Sequence, residues 1–153
     1  MSLIESRLAE LGVTLPDAPA PAANYVPYVV TGNTVYVSGQ ISMQDGALIT
    51  GKLGEGMTTE AGAAAAKTCA ISLLAQLRAA CGGDIDRLVR VVKLVGFVNS
   101  TPDFTEQPKV INGASDFLVA ALGDKGRHAR SAVSAASLPL GVAVEIEAIF
   151  EIA

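Results

Sequence analysis

The stretch that decides the fold is Val142-Ala143-Val144-Glu145-Ile146-Glu147-Ala148-Ile149-Phe150-Glu151-Ile152. Val142, Val144, Ile146, Phe150 and Ile152 fall on one side of an extended chain, and Glu145, Glu147 and Glu151 on the other. A period of two marks a strand with one face in a core. Such a strand needs partners in a sheet and a layer to cover its apolar side.

Both are legible upstream. Leu138-Pro139-Leu140-Gly141 turns the chain, and residues 131–136 read as the preceding strand. A hairpin folding at Pro139 is expected to bring Glu145 near the segment that begins at Arg130. Residues 124–128 form a polar loop. Before it lies a helix with Ile111, Ala114, Leu118 and Leu122 as its stripe, Thr105 as its expected cap and Gly123 at its end. Residues 89–98 are apolar on both faces, Lys93 excepted, which predicts an interior strand. Residues 59–81 give the clearest helix: Ala66, Ala70, Leu73, Leu77 and Ala80 recur at three- and four-residue steps. Thr58 or Thr59 caps it and Gly82-Gly83 stops it. Residues 26–41 read as a hairpin turning at Gly32-Asn33, and a short strand is expected near residues 47–49. Residues 2–11 predict a short helix capped by Ser2, greasy along Leu3, Leu8 and Leu11, followed by a proline-rich link. The fold class is therefore α+β: one mixed sheet with two helices on one face, in a single domain over residues 1–153 with an N-terminal extension over residues 1–24.

Composition narrows the function. Half of the 153 residues are hydrophobic, yet only seven are aromatic and none is Trp; Ala accounts for 25. This apolar excess is expected to be buried partly between subunits, because obligate interfaces resemble a core cut in half; an Ala-rich composition alone is the plainer account. A net charge of −4 with scattered basic residues argues against a nucleic-acid partner. No apolar run of 18 residues predicts a membrane span, and the charged N-terminus does not read as a signal peptide. With two cysteines and no CxxC, a reduced, cytoplasmic setting is expected.

The chemistry on offer is sparse. One histidine, His128, rules out a His-rich metal cage, and neither GxGxxG nor GxxxxGK[ST] is present, so no metal and no cofactor is expected. Arg130 opens an otherwise uncharged run of small residues, and a guanidinium fork suits a carboxylate. A surface arginine at a strand end is the bland alternative. Glu145 suits a general base that orients water, or else belongs to a solvated strand face with Glu147 and Glu151. Cys69 and Cys81 read as buried structural thiols, and His128 as part of a cleft rim.

The segment from Arg130-Ser131-Ala132-Val133 through Leu138-Pro139 to Val144-Glu145-Ile146-Glu147-Ala148 resembles the signature of the Rid family, the reactive intermediate deaminases or YjgF-like proteins, also known as endoribonuclease L-PSP. Val35-Tyr36-Val37-Ser38-Gly39-Gln40-Ile41 resembles that family's Ser-Gly-Gln strand, and Val110-Ile111-Asn112-Gly113-Ala114-Ser115-Asp116-Phe117 its Asn-containing helix. The likeness covers residues 25–153. It implies a chorismate-mutase-like fold, a homotrimer with clefts between subunits, and hydrolysis of enamines and imines such as 2-aminoacrylate to 2-keto acids and ammonia without metal or cofactor. By position, Arg130 would clamp the substrate carboxylate and Glu145 would hold the attacking water. Ser38, Gly39, Asn112, Ala132 and Tyr28 would line the pocket, although the chain from Tyr28 to Ser38 is shorter than in the best-known members. Ala132 replaces a frequent Cys, and Ser115 a frequent aromatic, as in a divergent subgroup. Two other expectations stand beside the deaminase: a non-catalytic trimer that binds small carboxylates at Arg130, and an endoribonuclease, which fits poorly with the acidic charge.

Overall fold

The C-terminal alternation forms a strand, as its period requires, and the neighbours of that strand set the architecture. The computed structural model of the chain describes residues 2–21 and 23–153. In chain order its elements are α1 (Leu3–Glu10), β1 (Tyr28–Thr31), β2 (Thr34–Ile41), β3 (Met43–Gln44), β4 (Ala47–Leu48), β5 (Lys52–Leu53), β6 (Gly56–Met57), α2 (Thr59–Ala80), β7 (Leu88–Asn99), α3 (Gln107–Leu122), β8 (Ala129–Ala135) and β9 (Val144–Ile152). The main sheet runs β1-β2-β9-β7-β8, with β7 and β8 parallel and every other pair antiparallel. β7 occupies the interior position that its two apolar faces predict, and Lys93 reaches solvent from the side away from the helices.

The expected hairpin at Pro139 does not form. β8 returns through α3 and lies parallel to β7, as a β-α-β crossover does. Residues 139–141 make a single 3-10 turn that carries the chain past the end of β7 and into β9 on its other side. Two strands adjacent in sequence are thereby separated by a third.

α2 and α3 pack against each other and cover one face of the sheet. Ala66, Ala70, Leu73 and Leu77 are buried on α2, and Ile111, Ala114, Leu118 and Leu122 on α3. The two helices approach so closely that a Cβ on Gly113 would overlap the Ala63 carbonyl. Thr58 caps α2 by accepting from the Ala61 N–H at 3.1 Å. α3 begins without the expected Thr105 cap: Glu106 stands at the cap position with no such bond. The Glu106 carboxylate instead accepts from Thr59 Oγ1 at 3.1 Å, tying the two helix starts together, and pairs with Lys109.

α1 is the short helix expected over residues 2–11, and it packs against α3. Ser2 caps it through the Glu5 N–H at 2.9 Å, but its buried side is Ile4 and Leu8, and Leu3 is 83% exposed. Leu8 is buried and Leu11 packs on the core as expected, and a tertiary contact explains why Ile4 rather than Leu3 completes the stripe. The Asp86 carboxylate accepts from the Leu3 and Ile4 N–H groups at 2.8 and 3.0 Å, which fixes the first turn and sends Ile4 into the core. The end of β9 is held at the neighbouring residue: the Ala153 N–H donates to the Arg87 carbonyl, and Arg87 Nε donates back to the Ala153 carbonyl, each at 2.9 Å.

Among the described residues no helix covers the far face of the sheet. That face mixes Lys93, Glu147 and Glu151 with Val29, Tyr36 and Val133, which are 51%, 48% and 45% exposed. No helix among the described residues is long and apolar enough to cross a membrane.

Candidate active site

Arg130 lies on the helix side of β8, opposite the buried Leu94 of β7. Its guanidinium is fixed by two acceptors on α3: Nη1 donates to Ser115 Oγ at 3.1 Å and Nη2 to the Pro108 carbonyl at 3.2 Å. Pro108 and Ser115 are two helical turns apart, so Asn112 falls between them on the same face, exposed. Ala132, two residues along β8 and partly buried, shares that side. The candidates Arg130, Asn112 and Ala132 therefore form one cluster at the α3–β8 edge.

Ser115 and His128 stand behind Arg130, a role that residue type alone did not signal. His128 Nδ1 lies 2.6 Å from the Gly126 carbonyl and Nε2 lies 2.9 Å from Ser115 Oγ. A carbonyl only accepts, so Nδ1 carries the proton and Nε2 accepts from the Ser115 hydroxyl. The Ser115 oxygen is then free to accept from Arg130, and all three bonds run in one direction. Burial, together with the Arg130 cation, pushes His128 below its ordinary 6.5, which keeps the imidazole neutral as this chain of bonds requires. Among the described residues no carboxylate pairs with Arg130. Of its five donors, the two bonds to α3 leave three for an anion.

Glu145 belongs to a second cluster. It stands on the far face of β9, half-buried, against the backbone of Gly39. A bulge makes that approach possible. The pairing of β2 with β9 passes from Val37 opposite Ala148 to Gln40 opposite Ile146, so one extra residue is accommodated at Ser38-Gly39. A Cβ on Gly39 would overlap the Glu145 carboxylate. Burial first, and then the charge of Glu147, raise Glu145 above its ordinary 4.5. Beside it opens a cleft of about 360 Å³, lined by Glu145 and Gly39 together with Pro19, Pro21, Tyr25 and Leu140 among others.

Ser38 builds this cleft indirectly. Its hydroxyl donates to the Val26 carbonyl and its N–H to the Pro27 carbonyl, both at 2.9 Å, which holds the segment carrying Tyr25. Tyr28, the expected pocket tyrosine, lies on the core side of β1 opposite Val37 and packs on the hydrophobic core. Tyr25, three residues earlier, is the tyrosine that lines the cleft. The short spacing from Tyr28 to Ser38 was the signal in the sequence that pointed upstream.

The fold does not bring Arg130 and Glu145 together within one chain. Arg130 aligns with Leu94 and Ala148 on the helix side, and Glu145 with Phe97 and Val133 on the other. Two strand spacings, about 10 Å, and three residues along the strand, about 10 Å, separate them, and the sheet lies between. Cys69 is fully buried with its thiol 3.5 Å from the Val144 carbonyl, and burial pushes its ionisation far up, as for a structural thiol. No group of three or more metal-ligating side chains occurs among the described residues.

Comparison with known proteins identifies this architecture. The family described as "YjgF/chorismate_mutase-like, putative endoribonuclease" matches residues 5–151, and the chain belongs to this YjgF/RidA family. It is 50% identical over 151 residues to protein TCP17 of Trypanosoma cruzi, covering 97% of this chain and 94% of that one. A crystal structure of a protein of unknown function from Agrobacterium tumefaciens is 51% identical and superposes with a TM-score of 0.92 over 98% of this chain and 92% of the other. RidA from an Antarctic Psychrobacter is 29% identical, with a TM-score of 0.59 over 89% and 94% of the two chains.

Proposed function

We propose that the chain is an enamine/imine deaminase that hydrolyses 2-aminoacrylate-type intermediates to 2-keto acids and ammonia, in a site assembled between copies of the chain. The observation that carries this reading is a fixed guanidinium with donors to spare and no carboxylate partner. Arg130 binds the substrate carboxylate through those donors, Ser115 and Pro108 hold the fork in plane, and Asn112 and Ala132 flank it. Glu145 of a neighbouring copy takes a proton from water as the oxygen attacks the imine carbon. The imine reacts in its protonated form, so this attack leaves a neutral carbinolamine: Glu145 returns the proton to nitrogen, then takes the proton of the hydroxyl as the C–N bond breaks, ammonia leaves and the keto group forms. An enamine enters this sequence after tautomerising to its imine. A carboxyl raised above its usual range suits a group that both takes and returns a proton near neutrality. Because one chain holds its two key groups on opposite faces, a shared site needs a second copy. We propose a homotrimer, in keeping with the family resemblance, in a reduced cytoplasmic setting that suits the two free thiols.

The test is incubation with 2-aminoacrylate generated by a serine dehydratase, following ammonia or pyruvate. Wild type should accelerate release above the spontaneous rate. Arg130→Ala should lose roughly 10- to 100-fold in kcat/KM, the worth of charge-assisted hydrogen bonds to an anchor. No acceleration by wild type, or full activity in Arg130→Ala, overturns the proposal. If 2-keto acids raise the melting temperature while turnover stays at background, the protein is a carboxylate-binding trimer instead.

A further inference from the structure

Resting on the deaminase reading, we infer that Gln40 and Gln76 are positioning residues of the reaction: they hold the Ser38-Gly39 bulge, the backbone bed on which the Glu145 carboxylate lies, and they do so at the expense of stability. The contacts begin inside the core. Gln76 of α2 is fully buried and Gln40 of β2 is 7% exposed, in the layer between helix and sheet where Leu73, Leu77 and Ile146 are also buried. The bulge itself turns Gln40 inward. With one residue added at Ser38-Gly39, Gln40 follows Val35 and Val37 onto the side that faces α2. The same irregularity takes Ser38 out of register with β9, and Gln40 Nε2 donates to the Ser38 carbonyl at 3.0 Å in place of a ladder bond.

Gln76 ties this bulge to the opposite wall of the cleft. Its Nε2 donates to the Pro19 carbonyl at 2.6 Å and lies 3.4 Å from Gln40 Oε1. Both of those oxygens only accept, so the orientation of the Gln76 amide is fixed by its neighbours. One side chain thereby links the proline-rich strap and the bulge, and Pro19, Gly39 and Gln40 all border the cleft beside Glu145. The arrangement is not the most stable one for this layer. Gln76 Oε1 is buried without a hydrogen-bond partner among the described residues. A buried amide that lacks one of its bonds is less favourable there than a hydrocarbon of the same shape. Local cost of this kind is characteristic of places where geometry serves a reaction. Here the geometry is that of Glu145: the Gly39 backbone lies against its carboxylate with no room for a Cβ, so any shift of the bulge moves the surface that holds it.

The experiment replaces both amides with unbranched apolar side chains of similar length, Gln40→Met together with Gln76→Met, in the full chain. Melting temperature is measured beside kcat and KM for 2-aminoacrylate generated at graded rates by a serine dehydratase. The double variant removes the orphaned oxygen, and Pro19 and Ser38 are only partly buried, so their carbonyls can turn to solvent. It should therefore melt at or above the wild-type temperature. Its kcat should fall about 10- to 100-fold, since a displacement of about 1 Å in a reacting group can cost a hundredfold. KM should stay unchanged, because the arginine cluster that anchors the carboxylate lies on α3 and β8, away from both glutamines. An unchanged kcat overturns the inference, and so does a KM that rises in step with the loss of turnover. A double variant that does not fold, or melts well below wild type, also overturns it, because the two amides would then serve stability. Each of these outcomes leaves the deaminase reading standing. No acceleration by wild type overturns both.

Discussion

In the proposed mechanism Glu145 is a single residue that carries an energetic cost for a chemical purpose. Its ionised form is disfavoured by burial and by Glu147, so its folded pKa lies above that of the unfolded chain. A raised carboxylate favours folding below its ordinary value of 4.5, and that contribution is lost as pH rises through the folded value. At neutral pH the charge therefore opposes folding. Glu145→Gln is expected to melt about one or two degrees above wild type at pH 7 to 8, an effect kept small by solvent screening, with the gap closing toward pH 4. The same variant should lose about a hundredfold or more in kcat, the range for a general base. The acid limb of the wild-type kcat/KM profile should lie above 4.5. A variant that is less stable at pH 8, or one that retains full turnover, would show that the carboxylate is structural. His128 has the opposite sign. Its folded value is lowered, so its contribution is present above 6.5 and is lost as pH falls, when a proton on Nε2 would reverse the bond to Ser115.

At the scale of elements, the contact between α2 and α3 reverses an expectation from propensity. Alanine is preferred to glycine inside a helix by about 1 kcal/mol. Gly113→Ala should nevertheless destabilise by about 1–3 kcal/mol, because its Cβ would meet the Ala63 carbonyl, a backbone atom that cannot rotate away. Thermal unfolding should show a fall of several degrees, and a rise would mean that the helices do not cross this closely. The elements themselves were legible in the sequence. The alternation at residues 142–152 and the stripes of Leu73 with Leu77 and of Ile111 with Leu118 are local periodicities, and burial follows them. Pairing was not legible: the turn at Pro139 reads like a hairpin, and only the preference for a β-α-β crossover sends β8 to the far side of β7. That Ile4 rather than Leu3 turns inward on α1 depends on Asp86, more than 80 residues away in sequence. Arg130, Glu145, Ser38 and Gly39 could be singled out from the sequence as candidates for the site. The support of Arg130 by Ser115 and His128, and the place of Tyr25, follow from tertiary geometry that spacing does not encode.

For the whole molecule, the separation of Arg130 from Glu145 makes a prediction that needs no substrate specificity. Arg130→Ala and Glu145→Gln should each be strongly impaired alone. If each site draws its arginine and its glutamate from different copies, mixing the two variants under conditions that exchange subunits should restore roughly a quarter of wild-type activity, as random assembly of a symmetric oligomer requires. Light scattering should give three times the chain mass of 15.6 kDa. Failure to complement despite subunit exchange would place both groups within one copy or remove one of them from the reaction. The anchoring of α1 and β9 has a separate consequence. The N–H groups of Leu3 and Ile4 bind Asp86, and Ala153 exchanges hydrogen bonds with Arg87, so the two extremities of the fold meet at consecutive residues of one turn. Topologically the chain is close to a ring. A short flexible linker from Ala153 to Ser2 would close it, and new termini opened at the exposed Asp45-Gly46 turn would cut neither the cleft nor the arginine cluster.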